Sequence, residues 1–158
     1  MPSQTPTTDL KQVREFFSRP LCTKAAQPLR NGSSLELGIG DGTFNITKIS
    51  GTLYVADGKP SQPDISFSVP VSSWDKITGA TTQEIGQMGI LITQLMVDSD
   101  LTRRVTSKVH VGVLQLVLRG YFGVLALGGV DFMRHLASHG LSNMGKVKEA
   151  VSRMRRGT

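Results

Sequence analysis

The side chains able to do chemistry are few and scattered. Asp131, His135 and His139 stand at i, i+4 and i+8, so on a helix they share one face. Two histidines at i, i+4 can hold zinc when a third ligand arrives from elsewhere. No second ligand cluster exists in the sequence, and the same pair suits a helix C-terminus, where positive charge is favoured. His110 sits in a β-like run and reads as a satisfied or edge residue. Cys22 follows Pro20-Leu21 with no histidine nearby, which gives nucleophilic catalysis no support. No pair of carboxylates stands at a useful spacing in an apolar setting. The reading is therefore non-enzymatic, with no catalytic residue, no metal and no cofactor assigned.

The charge is more informative. The chain has 158 residues and a formal net charge of +6, which suits an anionic partner. Lys146, Lys148, Arg153, Arg155 and Arg156 oppose only Glu149, so four of those six charges lie in the last seventeen residues. Met144, Val147, Val151 and Met154 run between them at helical steps, making residues 142–158 a basic amphipathic helix. Such a helix fits peripheral contact with an anionic membrane. Nucleic acid is disfavoured because aromatic stacking platforms are missing from the basic segment. The single cysteine excludes an internal disulfide and points to a reducing, cytoplasmic setting. Residues 1–8 lack the basic and apolar regions of a secretory signal and read as a disordered tail. Val109–Val130 is apolar enough to suggest a membrane span. His110, Gln115 and Arg119 interrupt it, however, and five glycines break it up, so a buried strand followed by a turn and helix is the better account.

The elements follow from periodicity. Asp9 and Gln12 have capping-box spacing before Leu10, Val13, Phe16 and Phe17, which predicts a helix over 9–18 stopped by Pro20. From Leu35 the period is two. Leu35–Ile39, Phe44–Ile49, Leu53–Val55 and Ile65–Val69 read as four strands in an antiparallel meander, with Asp41-Gly42 and Asp57-Gly58 as turns. A short helix capped by Ser72 or Ser73 holds Trp74 and Ile77 and ends at Gly79. A second, over 82–97 with Thr81 and Glu84 as capping box, carries Ile85, Met88, Ile92, Leu95 and Met96. Val109–Leu118 is apolar on both faces and reads as a buried strand closed by Gly120. Helices over 131–139, stopped by Gly140, and from Ser142 complete the chain. The order is α+β, with helices laid on one sheet.

The run Leu35-Glu-Leu-Gly-Ile-Gly-Asp-Gly42, with Asp57 downstream, resembles the first motif of the S-adenosylmethionine-dependent methyltransferases. That motif must open a helix, whereas Thr43-Phe44-Asn45-Ile46-Thr47 is β-branched and poorly helical. A β-hairpin is the better reading, and methyltransferase stands as the alternative.

The order of elements from about residue 8 to 140 resembles the sterol-carrier-protein-2 family. The matching segments are Gly51–Gly58, Pro63–Val69 leading into Ser72–Ile77, and Leu116–Gly120. The resemblance implies a sheet of about five mostly antiparallel strands with helices on one face, enclosing an apolar tunnel. It also implies binding or transfer of sterols, fatty acyl chains or isoprenoids without catalysis. The chain is longer than the family pattern between Trp74 and Gly120, so residues 82–97 form either the tunnel wall or a lid. On this reading 9–141 is the lipid-binding domain, and Trp74, Ile85, Met88, Ile92, Leu95, Met96, Leu114, Leu116, Leu118, Phe122 and Phe132 line the tunnel. Flexible methionines suit such a surface. A lipid-fold accessory factor of a partner enzyme complex is a further alternative.

Overall fold

The computed structural model describes residues 8–141 and 144–157. The helices are α1 (Leu10–Phe17), α2 (Pro20–Ala25), α3 (Val71–Gly79), α4 (Ile85–Met96), α5 (Val113–Leu118), α6 (Tyr121–Ala126), α7 (Gly129–Ser138) and α8 (Met144–Gly157). The strands are β1 (Ser34–Ile39), β2 (Gly42–Ile49), β3 (Thr52–Asp57), β4 (Ile65–Val69) and β5 (Thr106–Val109). They form one sheet in the order β3-β2-β1-β4-β5.

The expected α+β class and one-sided sheet are present. Alternation sends Leu37 and Ile39 of β1, Phe44 and Ile46 of β2, Val55 of β3 and Val69 of β4 to one face, where all are buried. Their neighbours Glu36, Thr43, Asn45, Thr52 and Tyr54 point the other way and keep solvent contact. Val13 and Phe16 of α1, Trp74 and Ile77 of α3, and Met88 and Leu95 of α4 close the core over the apolar face. Phe16 stacks edge-on against Trp74, with ring centroids 5.1 Å apart.

Several local expectations change. The meander holds only for β1-β2-β3. Strand β4 crosses back to pair parallel with β1, while the other three pairings are antiparallel. The β1–β2 turn is Gly40-Asp41, one residue earlier than Asp41-Gly42, as the Ile39–Gly42 pairing fixes. The Asp9–Gln12 capping box forms. Pro20 does not merely stop α1; it occupies the first turn of α2, where its missing N–H costs nothing. Helix α3 is capped by Pro70, and Ser73 instead donates to the Arg103 carbonyl across 2.5 Å. Helix α4 starts at Ile85, and Thr82 rather than Thr81 meets the Glu84 N–H.

The largest difference lies after β5. The final strand is Thr106–Val109; of the segment expected as strand, Val109–Leu118, only Val109 is strand, and Val113–Leu118 is helix α5. Periodicity is legible as contrast between apolar and polar faces. Here the solvent face of the helix is itself apolar, so the contrast vanished and the run looked doubly buried. The expected tail covers residues 1–7, outside the described residues, and Thr8, which is buried. Ser142 and the side chains of Met144 and Arg156 also lie outside them.

Two buried charged groups tie the layers together. Asp64, 1% exposed, precedes β4, and its Oδ2 accepts from the Ser34 N–H at 3.0 Å, the Arg119 guanidinium at 3.1 Å and the Tyr121 hydroxyl at 2.8 Å. Its backbone N–H donates to the Ser34 carbonyl, and its carbonyl accepts from His110. The start of β1, the end of β5 and the α5–α6 corner therefore converge on one residue. The corner itself needs Gly120, whose φ is 89° and whose place leaves no room for a Cβ against the Pro28 carbonyl. Lys48 of β2, also buried, donates to the carbonyls of Ala26, Gln27 and Leu29 at the end of α2. A single ammonium thus gathers three carbonyls of the segment that follows the helix.

Removing one partner of a buried charged pair is costly, because the other is left uncompensated. Asp64→Ala should lower unfolding free energy by about 3 kcal/mol, and Tyr121→Phe by about 1 kcal/mol. Urea denaturation measures both, and equal small losses would contradict the convergence on Asp64.

Candidate lipid-binding site

The expected tunnel residues scatter when placed in the fold. Trp74, Met88 and Leu95 are buried in the main core, and Ile85, Ile92 and Met96 pack partly buried against it. Leu116 and Phe132 are buried among the C-terminal helices. Phe132 lies at the crossing of α4 and α7, over Gly89. Phe122 of α6 is half-buried, with the Lys148 ammonium 5.9 Å from its ring centroid. Leu114, Leu116 and Leu118, expected to line the tunnel together, do not share a face. On helix α5 Leu116 points away from the other two: it is 2% exposed, while Leu114 and Leu118 are 71% and 54% exposed. None of the eleven borders the groove described next, whose lining comes from other residues.

That groove opens between the β5–α5 connection and α8, with a volume of about 610 Å³. Val111, Gly112 and Val113 form one bank, and Val151 and Ser152 form the other. Lys148, Arg153 and Arg155 bring positive charge to it, and Glu149 brings the one carboxylate. Two structural facts make this arrangement. Helix α8 packs on β5 and α5, with Val147 as its buried anchor. The 3.6-residue period then puts Lys148, Val151, Ser152 and Arg155 on a neighbouring strip. Of the basic residues expected at a membrane surface, the structure brings Lys148, Arg153 and Arg155 to the groove, while Lys146 is exposed elsewhere on α8. The apolar bank was hidden in the sequence because Val111 and Val113 had been given to a strand.

The chemistry-bearing residues do not assemble. The glycine-rich run 38–42 spans the β1–β2 hairpin, whose turn is Gly40-Asp41, and residues 42–49 continue as strand, not helix. This overturns the methyltransferase reading, whose cofactor turn must open a helix. Asp131 pairs with Arg134 at 3.6 Å. His135 and His139 meet edge-on with ring centroids 4.8 Å apart, and the buried His135 Nε2 has no hydrogen-bond partner among the described residues. No group of three metal-ligating side chains occurs among the described residues. His110 is a satisfied edge residue, its Nε2 lying 2.6 Å from Ser66 Oγ. Burial pushes the Cys22 thiol up to about 11, against the opposing pull of Arg19. Burial and the bond to Asp64 push the Tyr121 hydroxyl upward as well.

No protein-family model matches the chain, and no curated protein matches it. Among solved structures the chain is similar to a protein described as "UbiJ-SCP2 Ubiquinone synthesis protein", at 11% identity and a TM-score of 0.44, covering 77% of this chain and 93% of that one. No helix among the described residues is long and apolar enough to cross a membrane.

Two outcomes follow from these placements. Leu116→Ala should cost about 3 kcal/mol of stability, while Leu114→Ser and Leu118→Ser should stay within about 0.5 kcal/mol. Thermal or urea melts of the three variants check this; equal losses would restore the strand. The raised Cys22 value favours the folded state below the ordinary thiol range near 9. That contribution falls away as pH rises from there toward about 11, because the unfolded thiol ionises first. Thiol labelling at pH 8 should accordingly be slow in the native protein and fast in urea.

Proposed function

We propose that the protein is a non-enzymatic lipid-binding protein whose ligand is an amphiphile with an acyl, sterol or isoprenoid body, and that it serves in lipid binding or transfer. The observation that carries this reading is the groove of about 610 Å³ in which Val111, Val113 and Val151 stand beside Lys148, Arg153 and Arg155. Its size falls within the range of small-ligand sites. Burying an apolar chain there supplies the driving force, about 25 cal/mol per Å² removed from water. The three cations select an anionic head, since a guanidinium matches carboxylate or phosphate through paired donors. Glu149 lowers the net charge at the same rim and so opposes a multiply charged head more than a singly charged one.

The fold suits this role by leaving the site at the margin of the core. Main-core side chains are close-packed between sheet and helices, and a ligand displacing them would disturb the whole domain. A groove between α8 and the β5–α5 connection can fill or empty through a small shift of one terminal helix.

Native mass spectrometry of freshly purified protein, followed by extraction, should reveal a bound acyl lipid, sterol or isoprenoid. Titration with a fluorescent fatty acid should saturate, and Val151→Asp should weaken it about 10-fold by placing a charge on the apolar bank. Arg153→Ala with Arg155→Ala should weaken the fatty acid but leave a neutral fluorescent sterol unchanged. A protein that is empty as purified and takes up neither probe would overturn the proposal.

A further inference from the structure

Helix α5 carries an apolar stripe that nothing among the described residues covers. Leu114, Val117 and Leu118 fall at i, i+3 and i+4 and are 71%, 39% and 54% exposed, while Leu116 on the opposite side anchors the helix. A solvent-facing helix side normally carries polar residues. The stripe is held in place at one end and opens on the groove at the other. At its N-terminal end Val113 belongs to the groove. At its C-terminal end Arg119 donates to the Gly32 carbonyl at 2.7 Å and to Asp64, and the Arg119 carbonyl accepts from the Arg30 N–H. The apolar side chains therefore project from a fixed support.

The charge beside the stripe identifies what covers it. Helix α8 packs against α5, and the groove between them carries Lys148, Arg153 and Arg155 against Glu149. The stripe itself holds no charge, and its polar neighbour Gln115 is neutral. A short apolar ridge with cations beside its N-terminal end matches a bilayer with anionic headgroups, where cations meet phosphate and the leucines enter the acyl boundary. A second copy of this chain would instead bring the same cations together across a two-fold axis.

We propose that α5 is the insertion edge by which the protein docks on an anionic lipid bilayer, with the groove mouth placed at the headgroup level. The proposal rests on the lipid-binding reading, which it deepens by naming the surface that would deliver or receive the ligand. Docking in this pose brings Val113, shared by groove and helix, next to the membrane, so a lipid could move between bilayer and groove without crossing open water.

The test is co-sedimentation of the full chain with vesicles of phosphatidylcholine and phosphatidylglycerol, and with vesicles of phosphatidylcholine alone. Wild-type protein should pellet with the anionic vesicles and be released by high salt. The double variant Leu114→Asp, Leu118→Asp removes two exposed side chains, so its melting should match wild type while its partition falls at least about 10-fold. A double variant that pellets like wild type, or wild type that stays in solution with anionic vesicles, would overturn the docking proposal. So would wild type that self-associates and the variant that does not, with no vesicle binding by either. Native mass spectrometry of the same preparations separates the two readings. Lipid-loaded protein without vesicle binding removes α5 docking and leaves the groove. Vesicle binding by protein that never loads lipid sustains the docking surface and removes the groove.

Discussion

A single buried carboxylate oxygen ties the first strand to the α5–α6 corner, and the backbone carbonyl of the same residue receives the end of the last strand. Asp64 Oδ2 takes three donors, one backbone N–H, one guanidinium and one phenol. A desolvated carboxylate is tolerated only when its acceptor capacity is met by good donors, one of them charged. Once they are in place, the geometry is over-determined. Ser34 sets the start of β1, His110 ends β5 on the Asp64 carbonyl, and Arg119 with Tyr121 fixes the turn between α5 and α6. Gly120 permits that turn, because only a residue without a Cβ fits against Pro28 at positive φ.

Lys48 plays the matching role on the other half of the sheet. Its ammonium reaches from β2 to three carbonyls at the end of α2, so the N-terminal helices are fastened to the strands by a charge inside the protein. Arg19 likewise closes the end of α3 through the carbonyls of Thr78 and Ala80. In each case a basic side chain is used at or just beyond a helix C-terminus, where the partial negative charge of the helix end favours it. The charges of Lys48 and Arg19 are thus structural.

How far the sequence could be read follows the same division. Strands β1 to β4 were legible because each alternates apolar and polar residues, and α1, α3, α4 and α7 because each has a clear apolar stripe or stop signal. Long-range pairing was not legible: nothing local tells β4 to cross back beside β1. The four residues of β5, Thr-Ser-Lys-Val, carry almost no apolar signal, and strand character was assigned instead to the greasier run that follows. Neither Asp64 nor Lys48 stood out, since a buried charge looks like any other charge until its partners from distant segments are known. For the candidate site, the basic face of α8 was legible as a charge run. Its apolar counterpart was not, because Val111 and Val113 acquire their role from the bent connection between β5 and α5.

The misread segment is also where local rules and the folded state disagree most. An α5 with polar residues at 114, 117 and 118 would be easier to recognise and would present a conventional solvent face. The observed residues forgo that, yet the helix lies against a corner fixed by Asp64, Arg119 and Gly120, which does not depend on what the outer face carries. The anchoring and the exposed stripe are therefore separable: Leu116, Arg119 and Tyr121 supply the stability of this corner, and Leu114, Val117 and Leu118 are left available for contact with something outside the chain. Exposed apolar side chains grouped on one helix face mark interaction sites more often than scattered ones do. On the docking proposal the adjoining cations of α8 select an anionic surface, which would join the groove and the stripe into one region with one kind of ligand chemistry.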